Sequence, residues 1–226
     1  MWTFEQTPIG RIAVPPGDVP VFCTTRDYDG QLRDELTQVI RERFGSDTTL
    51  STCWQVHGVN VGRAPCPEAE CDALWSDRRG VSIGIKIADC LPVTMIDPTH
   101  SVIASVHSGW RGAAQRITAK TLDVLEQSSR FDASSAFAYL GPSIRVCCFE
   151  VGDEVAAQFD ERFIDRSHAK AHIDLPAMTA ALLRERGFAA ERVSDSELCT
   201  RCEGSIFHSY RRDGKSGGRN LQIASR

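Results

Sequence analysis

Two imidazoles and one thiol stand where folded chains place reactive groups. His57 sits in Gln55-Val56-His57-Gly58-Val59, Cys90 in Ala88-Asp89-Cys90-Leu91-Pro92, and His107 opens His107-Ser108-Gly109-Trp110-Arg111-Gly112. Cys90 and His107 follow alternating apolar runs, so both fall at strand ends, where α/β-type proteins present catalytic side chains. Two histidines and a thiolate make a zinc ligand set. Three protein ligands leave a fourth direction for water, which becomes a nucleophile near neutral pH. The same residues also fit a Cys–His nucleophile pair with Asp89 beside it, or a buried thiol with two unrelated turn histidines. Separations of 33 and 17 residues match no short metal signature, so spacing alone leaves the three readings open.

The turn after His107 carries a second signal. Ser108, Gly109 and Gly112 expose backbone N–H groups ahead of a helix, and Arg111 adds a fork of donors, which together suit phosphate or another anion. The plainer reading is a glycine turn with Trp110 as a core plug. Cys199-Thr200-Arg201-Cys202 is a CxxC. A zinc ribbon needs a second such pair, and the adjacent Cys147-Cys148 suit a tetrahedron badly, so these cysteines read as packing. Tyr210-Arg211-Arg212-Asp213-Gly214-Lys215 reads as a strand entering a polar turn, with Arg211 or Arg212 facing either solvent or an anionic substrate.

Regular elements have to position these groups. Leu32, Leu36, Ile40 and Phe44 recur four apart within 31–44, predicting a helix closed by Gly45. Val81, Ile83, Ile85 and Ile87 alternate with Ser82, Gly84, Lys86 and Ala88, the pattern of a half-buried strand. Extended runs follow at 93–96 and 102–106, then a helix over 113–127 and a strand near 137–140. Helices are predicted over 153–163 and 176–186, the second punctuated by Asp174, Pro176 and Gly187. Residues 205–210 read as a strand, and the first ten to fifteen residues as loosely attached. Without a regular βαβ rhythm, the pattern favours an α+β layered fold over a doubly wound sheet.

The 226 residues, 42% hydrophobic and 25% charged, exclude a disordered or fibrous chain. A net charge of −4 is too even to argue for nucleic acid or a membrane surface as partner. The stretch from His208 to Arg226 is nevertheless basic, with Arg211, Arg212, Lys215, Arg219 and Arg226 against Asp213. Nine cysteines cannot close a disulfide framework, and the first residues lack the basic and apolar regions of a signal peptide. No run reaches the roughly 18 apolar residues of a membrane span. A reducing, cytoplasmic setting follows, with most of the thiols as small buried apolar groups.

Five ordered blocks between residue 53 and about residue 222 resemble the YfiH family of laccase-domain proteins, once called polyphenol oxidases and related to human FAMIN. They are Gln55-Val56-His57-Gly58, then Ala88–Pro92, then His107–Gly112. Gly141-Pro142-Ser143-Ile144 with Cys148-Phe149-Glu150-Val151 is the fourth, and the fifth runs from Cys199 through Ser209-Tyr210-Arg211-Arg212 to Arg219. The resemblance implies one catalytic domain over residues 1–226, a layered α/β/β/α sandwich. It implies one zinc held by His57, Cys90 and His107, with copper as an ion the set takes up in vitro. It also implies purine nucleoside phosphorylase activity on adenosine, inosine, guanosine or methylthioadenosine with phosphate, and adenosine deamination. Bacterial relatives are linked to a zinc- or Cys-dependent amidase role, removing misplaced serine from peptidoglycan precursors.

On this basis Asp89 and Arg111 are the candidate catalytic groups. Arg26, Ser108, Gly109 and Arg211 are the candidate nucleoside or phosphate contacts. The sequence departs from the family's usual pattern at Ser108 (usually Ala) and Phe149 (usually Tyr). Asp27-Tyr28-Asp29-Gly30 also leads directly into a helix where the family has a Gly-rich segment. Laccase chemistry of the usual sort is excluded by arithmetic, since six histidines are too few for a type-1 copper and a three-copper cluster.

Overall fold

The computed structural model describes residues 1–226 except positions 29, 46, 67 and 68. The chain opens with a hairpin of β1 (Thr3–Thr7) and β2 (Gly10–Val14), in register from Thr3↔Val14 to Thr7↔Gly10. This corrects the loosely attached N-terminus of the sequence reading. Ile9 and Ile12 are fully buried, and β2 pairs with β3 (Val21–Thr24). The expected helix is α1 (Arg33–Phe44), which buries Leu36, Val39 and Ile40 and ends at Gly45 with φ +114°. Gly45 suits that left-handed backbone because it has no Cβ to clash. Asp29, in the stretch before this helix, lies outside the described residues.

Short strands β4 (Thr49–Ser51), β5 (Val61–Arg63) and β6 (Ala73–Ser76) precede three seven-residue strands. These are β7 (Val81–Ile87), β8 (Leu91–Asp97) and β9 (Val102–Ser108). The helix expected over 113–127 is two, α2 (Trp110–Ala114) and α3 (Ile117–Ser128), because Arg116 takes the left-handed conformation at φ +62°. The chain continues through β10 (Phe137–Leu140), β11 (Glu150–Val151), α4 (Asp153–Ala156), β12 (Ile164–Asp165) and β13 (Ala171–Ile173). After them come α5 (Leu175–Glu185), β14 (Val193–Asp195), α6 (Tyr210–Asp213) and β15 (Asn220–Ala224).

Two expectations fail in this part. The helix predicted over 153–163 is only the four-residue α4, followed by a separate 3-10 turn at Glu161–Phe163 that Asp160 caps. Residues 205–210 form turns leading into α6, with Ser209 as its N-cap, and not a strand. Helix α5 matches its punctuation, and Asp174 accepts a hydrogen bond from Ala177 N–H at its start.

Two six-stranded sheets carry the fold, ordered β1-β2-β3-β15-β7-β4 and β14-β10-β8-β9-β6-β5. Ile83, Ile85 and Ile87 of β7 meet Leu74 and Ile103 of the second sheet in a shared apolar layer. The outer face of the first sheet is covered by α1, through Phe22, Leu221, Ile223, Leu36 and Ile40. The outer face of the second packs Val93, Met95 and Val106 under Ile117, Leu122 and Leu183 of α3 and α5. The result is an α+β architecture of α/β/β/α layers. Strand β7 is therefore buried on both faces except at Lys86, which corrects the half-buried reading. Among the described residues, no helix is long and apolar enough to cross a membrane.

Asp97, fully buried at the end of β8, accepts from Thr99 N–H, His100 N–H, His100 Nδ1, Asp132 N–H and Ser135 Oγ. Burial pushes its carboxyl up, but these donors outweigh it and hold the pKa below the usual range. A depressed folded pKa contributes stability above the unfolded pKa and loses it as pH falls through the folded value. Asp97→Ala should therefore cost roughly 2–3 kcal/mol at neutral pH, a deficit that narrows in strong acid. Thermal melts of both proteins at the two pH values measure it.

Candidate metal centre and cavity

Strand pairing brings two of the three chemical residues together. In the β8–β9 hairpin Pro92 faces His107 and Leu91 faces Ser108. The residue before Leu91, Cys90, thus lies against Gly109. A Cβ on Gly109 would stand 2.9 Å from Cys90 Sγ and 3.3 Å from His57 Cδ2. Glycine is what lets the sulfur and the His57 ring share this space. His57 arrives from a separate loop with φ +60°, and its ring centroid is 4.9 Å from that of His107, edge to face. One ligand atom each from His57, Cys90 and His107 lie within 4.8 Å of one another. These side chains are arranged so that they could hold a metal ion.

The residue that builds this arrangement is Asp72, which the sequence reading passed over. Its side chain is fully buried. It accepts from the backbone N–H groups of Val56 (3.2 Å), His57 (3.0 Å) and Gly58 (2.7 Å), and one oxygen lies 2.7 Å from His107 Nδ1. One carboxylate thus fixes the loop that carries His57 and the ring orientation of His107, leaving Nε2 of His107 directed at the cluster. A histidine whose other nitrogen is held by a carboxylate is the usual support of a metal ligand. The available signal was an acidic residue at the head of the apolar run Asp72-Ala73-Leu74-Trp75.

Electrostatics follow from this packing. Burial pushes the Cys90 thiol up, but hydrogen bonds from His107 and His57 outweigh it and bring the pKa to about 7. Burial likewise opposes charge on His107, yet Asp72 and then Cys90 raise it to about 9. Without a metal, the pair favours thiolate beside imidazolium.

The cluster lines an open cavity of about 1080 Å³, which Asp89, Trp110, Arg111 and Arg211 also line. Arg111 stacks over Trp110 at 4.4 Å. Asp89 is buried with φ +89°, and both carboxylate oxygens accept hydrogen bonds: Oδ1 from Thr200 Oγ1 and Oδ2 from Arg211 N–H, each at 2.6 Å. Arg211 also donates to Glu150 O and lies 5.8 Å from the Phe149 ring.

Three expected contacts do not form the cavity wall, although Gly109 lies against Cys90 Sγ and the His57 ring. Ser108 is buried in β9 and Gly109 caps α2, and neither lines the cavity. Arg26 is also absent from its walls; its guanidinium donates to Gly204 O. In their place the walls include Lys86, Arg219 and the aromatic residues Trp54, Phe149 and Tyr210. Trp54 is 61% exposed and Tyr210 48% exposed, so both rings present aromatic surface to solvent.

Residues 23–226 match the family described as multi-copper polyphenol oxidoreductase laccase, and the chain belongs to that family. It is 37% identical over 159 residues to an adenosine deaminase of an unknown prokaryotic organism, covering 66% of this chain and 60% of that protein. It is 34% identical over 155 residues to a purine nucleoside phosphorylase of Clostridium acetobutylicum, covering 66% and 64%. The chain therefore spans less than two thirds of these two relatives. A purine nucleoside phosphorylase of Xylella fastidiosa is 31% identical over 95% of the chain and 83% of its own length.

Among solved structures, YlmD from Geobacillus stearothermophilus superposes with a TM-score of 0.81 over all of both chains at 22% identity, a likeness of fold. Bacillus licheniformis YfiH gives the same score and identity over 99% of each chain. The family resemblance carried by the five sequence blocks is borne out, as is the α/β/β/α sandwich.

Proposed function

We propose that this chain is a purine nucleoside phosphorylase, cleaving adenosine, inosine, guanosine or methylthioadenosine with phosphate, and that it also deaminates adenosine. The observation that carries the proposal is the composition of one cavity. A two-nitrogen, one-sulfur ligand set lies beside four cations (Lys86, Arg111, Arg211 and Arg219) and exposed aromatic faces. Cationic side chains suit phosphate, and aromatic rings suit a purine.

The donor set fits zinc. Two imidazoles and a thiolate are ordinary zinc ligands, and three of them leave one direction open. His57, Cys90 and His107 would hold the ion, which supplies Lewis acidity at that open direction. In phosphorolysis the bond between the anomeric carbon and the purine nitrogen breaks, a bond to a phosphate oxygen forms, and the base leaves protonated on a ring nitrogen, its proton balanced by the one that hydrogen phosphate gives up on becoming the sugar phosphate. Arg111 and Arg211 bind and orient the phosphate, and their charge offsets the negative charge it carries toward the ribose. Trp54, Phe149 and Tyr210 hold the base and shield it from water. With both oxygens engaged, Asp89 is assigned as a positioning residue that sets the backbone of Arg211 and the Thr200 turn.

Incubation of the purified chain with inosine, with and without phosphate, tests the reading. Hypoxanthine release that requires phosphate supports it. No release from any of the four nucleosides, with turnover of a muramyl-serine precursor, replaces it with the amidase reading. Arg111→Ala should raise the KM for phosphate about 10- to 100-fold, the value of one or two charge-assisted hydrogen bonds, while leaving metal content unchanged. Initial rates over a phosphate series measure that shift.

A further inference from the structure

The four cysteines that read as packing in the sequence converge on one point. Ligand sulfurs of Cys147, Cys148, Cys199 and Cys202 all lie within 4.8 Å of one another. Cys147 Sγ is 3.8 Å from Cys202 Sγ, and Cys148 Sγ is 3.4 Å from it. A disulfide needs about 2.05 Å. Four sulfurs each about 2.3 Å from a shared ion sit about 3.8 Å apart along the tetrahedron's edges. The observed spacing matches the second arrangement. We propose that Cys147, Cys148, Cys199 and Cys202 form a second metal site, a four-thiolate zinc centre separate from the His57–Cys90–His107 cluster.

Local backbone explains why adjacent cysteines can share an ion. Cys148 N–H and Phe149 N–H both bond to Arg145 O, so residues 145–149 make a helical turn. Neighbouring side chains on such a turn diverge by about 100° instead of pointing to opposite faces as in a strand, and both sulfurs reach the same centre. Cys199 and Cys202 lie on a second turn, closed by Glu203 N–H to Cys199 O at 2.9 Å. Cys148 and Cys199 are buried while Cys147 and Cys202 are exposed, which gives an ion a path in from solvent. A four-thiolate zinc carries net negative charge; Arg201 lies in the second turn, while Arg145 and Arg212 beside the turns are paired with Asp195 and Asp213, and Arg212 Nη1 donates to Thr200 O and Arg201 O.

The centre would serve as a clamp. It joins two segments about 50 residues apart that also meet through the Ser143–Cys199 bridge, its hydrogen bonds and the Arg145–Asp195 ion pair. Those segments shape the cavity: Ile144 N–H bonds to Asp89 O, Thr200 Oγ1 to Asp89 Oδ1, and Ile144 and Phe149 stand in the wall. The proposal does not depend on what the cavity binds.

Zinc per chain by elemental analysis tests it on wild type, His107→Ala and Cys202→Ser. The expected counts are two, one and one. A Cys202→Ser protein with as much zinc as wild type overturns the second site and leaves the first untouched. His107→Ala with undiminished zinc, beside a loss in Cys202→Ser, overturns the first and leaves the second standing. Native alkylation of wild type followed by intact mass analysis needs no substitution. Removing zinc with a chelator should expose four additional thiols beyond any released at Cys90. A mass two hydrogens low, with thiols that appear only on reduction, or iron in place of zinc, overturns the proposal.

Discussion

Cys90→Ala should retain the fold and lose both phosphorolysis and deamination by at least about a thousandfold, the rate equivalent of some 4 kcal/mol of transition-state stabilisation. The sulfur is one of only three side chains in the cluster, and two imidazoles alone hold zinc poorly. The substitution creates no steric conflict, because Cys90 sits beside Gly109 and the His57 ring and alanine is smaller. Circular dichroism should be unchanged while zinc at this site and turnover are lost together. Phosphorolysis that persists in a variant without this zinc would contradict the shared role of the metal.

Asp72→Asn should be nearly as damaging, although Asp72 does not line the cavity. Its two oxygens serve three backbone N–H groups and His107 Nδ1. An asparagine keeps one oxygen and turns an NH2 group toward donors, so the loop carrying His57 loses its anchor. Lost support of this kind lowers metal affinity by about 10- to 100-fold. The readout is a zinc titration of the chelator-treated protein, with turnover recovered at raised zinc. Cys90→Ala should not recover under the same conditions, which separates a positioning residue from a ligand.

Periodicity made the inner frame legible. Helices α1 and α5 announce themselves by a regular buried stripe, and strands β7 to β9 by apolar runs that are buried on both faces. The elements that were missed lack such a stripe. Residues 153–163 place Val155, Phe159 and Phe163 at helical spacing, but the chain turns at Ala157 and Asp160 caps a new short turn. Strand β15 closes the middle of the first sheet between β3 and β7, yet in the sequence it lies within a stretch from His208 to Arg226 marked only by its basic residues. Its buried polar groups bond to partners far away in sequence, as Gln222 Nε2 does to Thr94 Oγ1 and Asn220 Nδ2 to His208 O.

The same limit applied to the site. His57, Cys90 and His107 were visible as residue types, but their convergence depends on the β8–β9 register and on Asp72, which no spacing rule encodes. Trp54 and Lys86 line the cavity because a loop and a strand face each other across Gln55, whose amide bonds to both Lys86 N–H and Lys86 O. Pairings made across thirty residues are set by tertiary packing. The adjacent cysteines misled for a similar reason, since only the helical turn at 145–149 brings both sulfurs to one side.

The most direct test is a crystal structure of the purified protein with anomalous data collected on both sides of the zinc absorption edge. A zinc peak bonded to Nε2 of His107, Sγ of Cys90 and a ring nitrogen of His57, in protein that turns over inosine with phosphate, is the result expected here. Fully active crystals with no anomalous peak among these three side chains would contradict it.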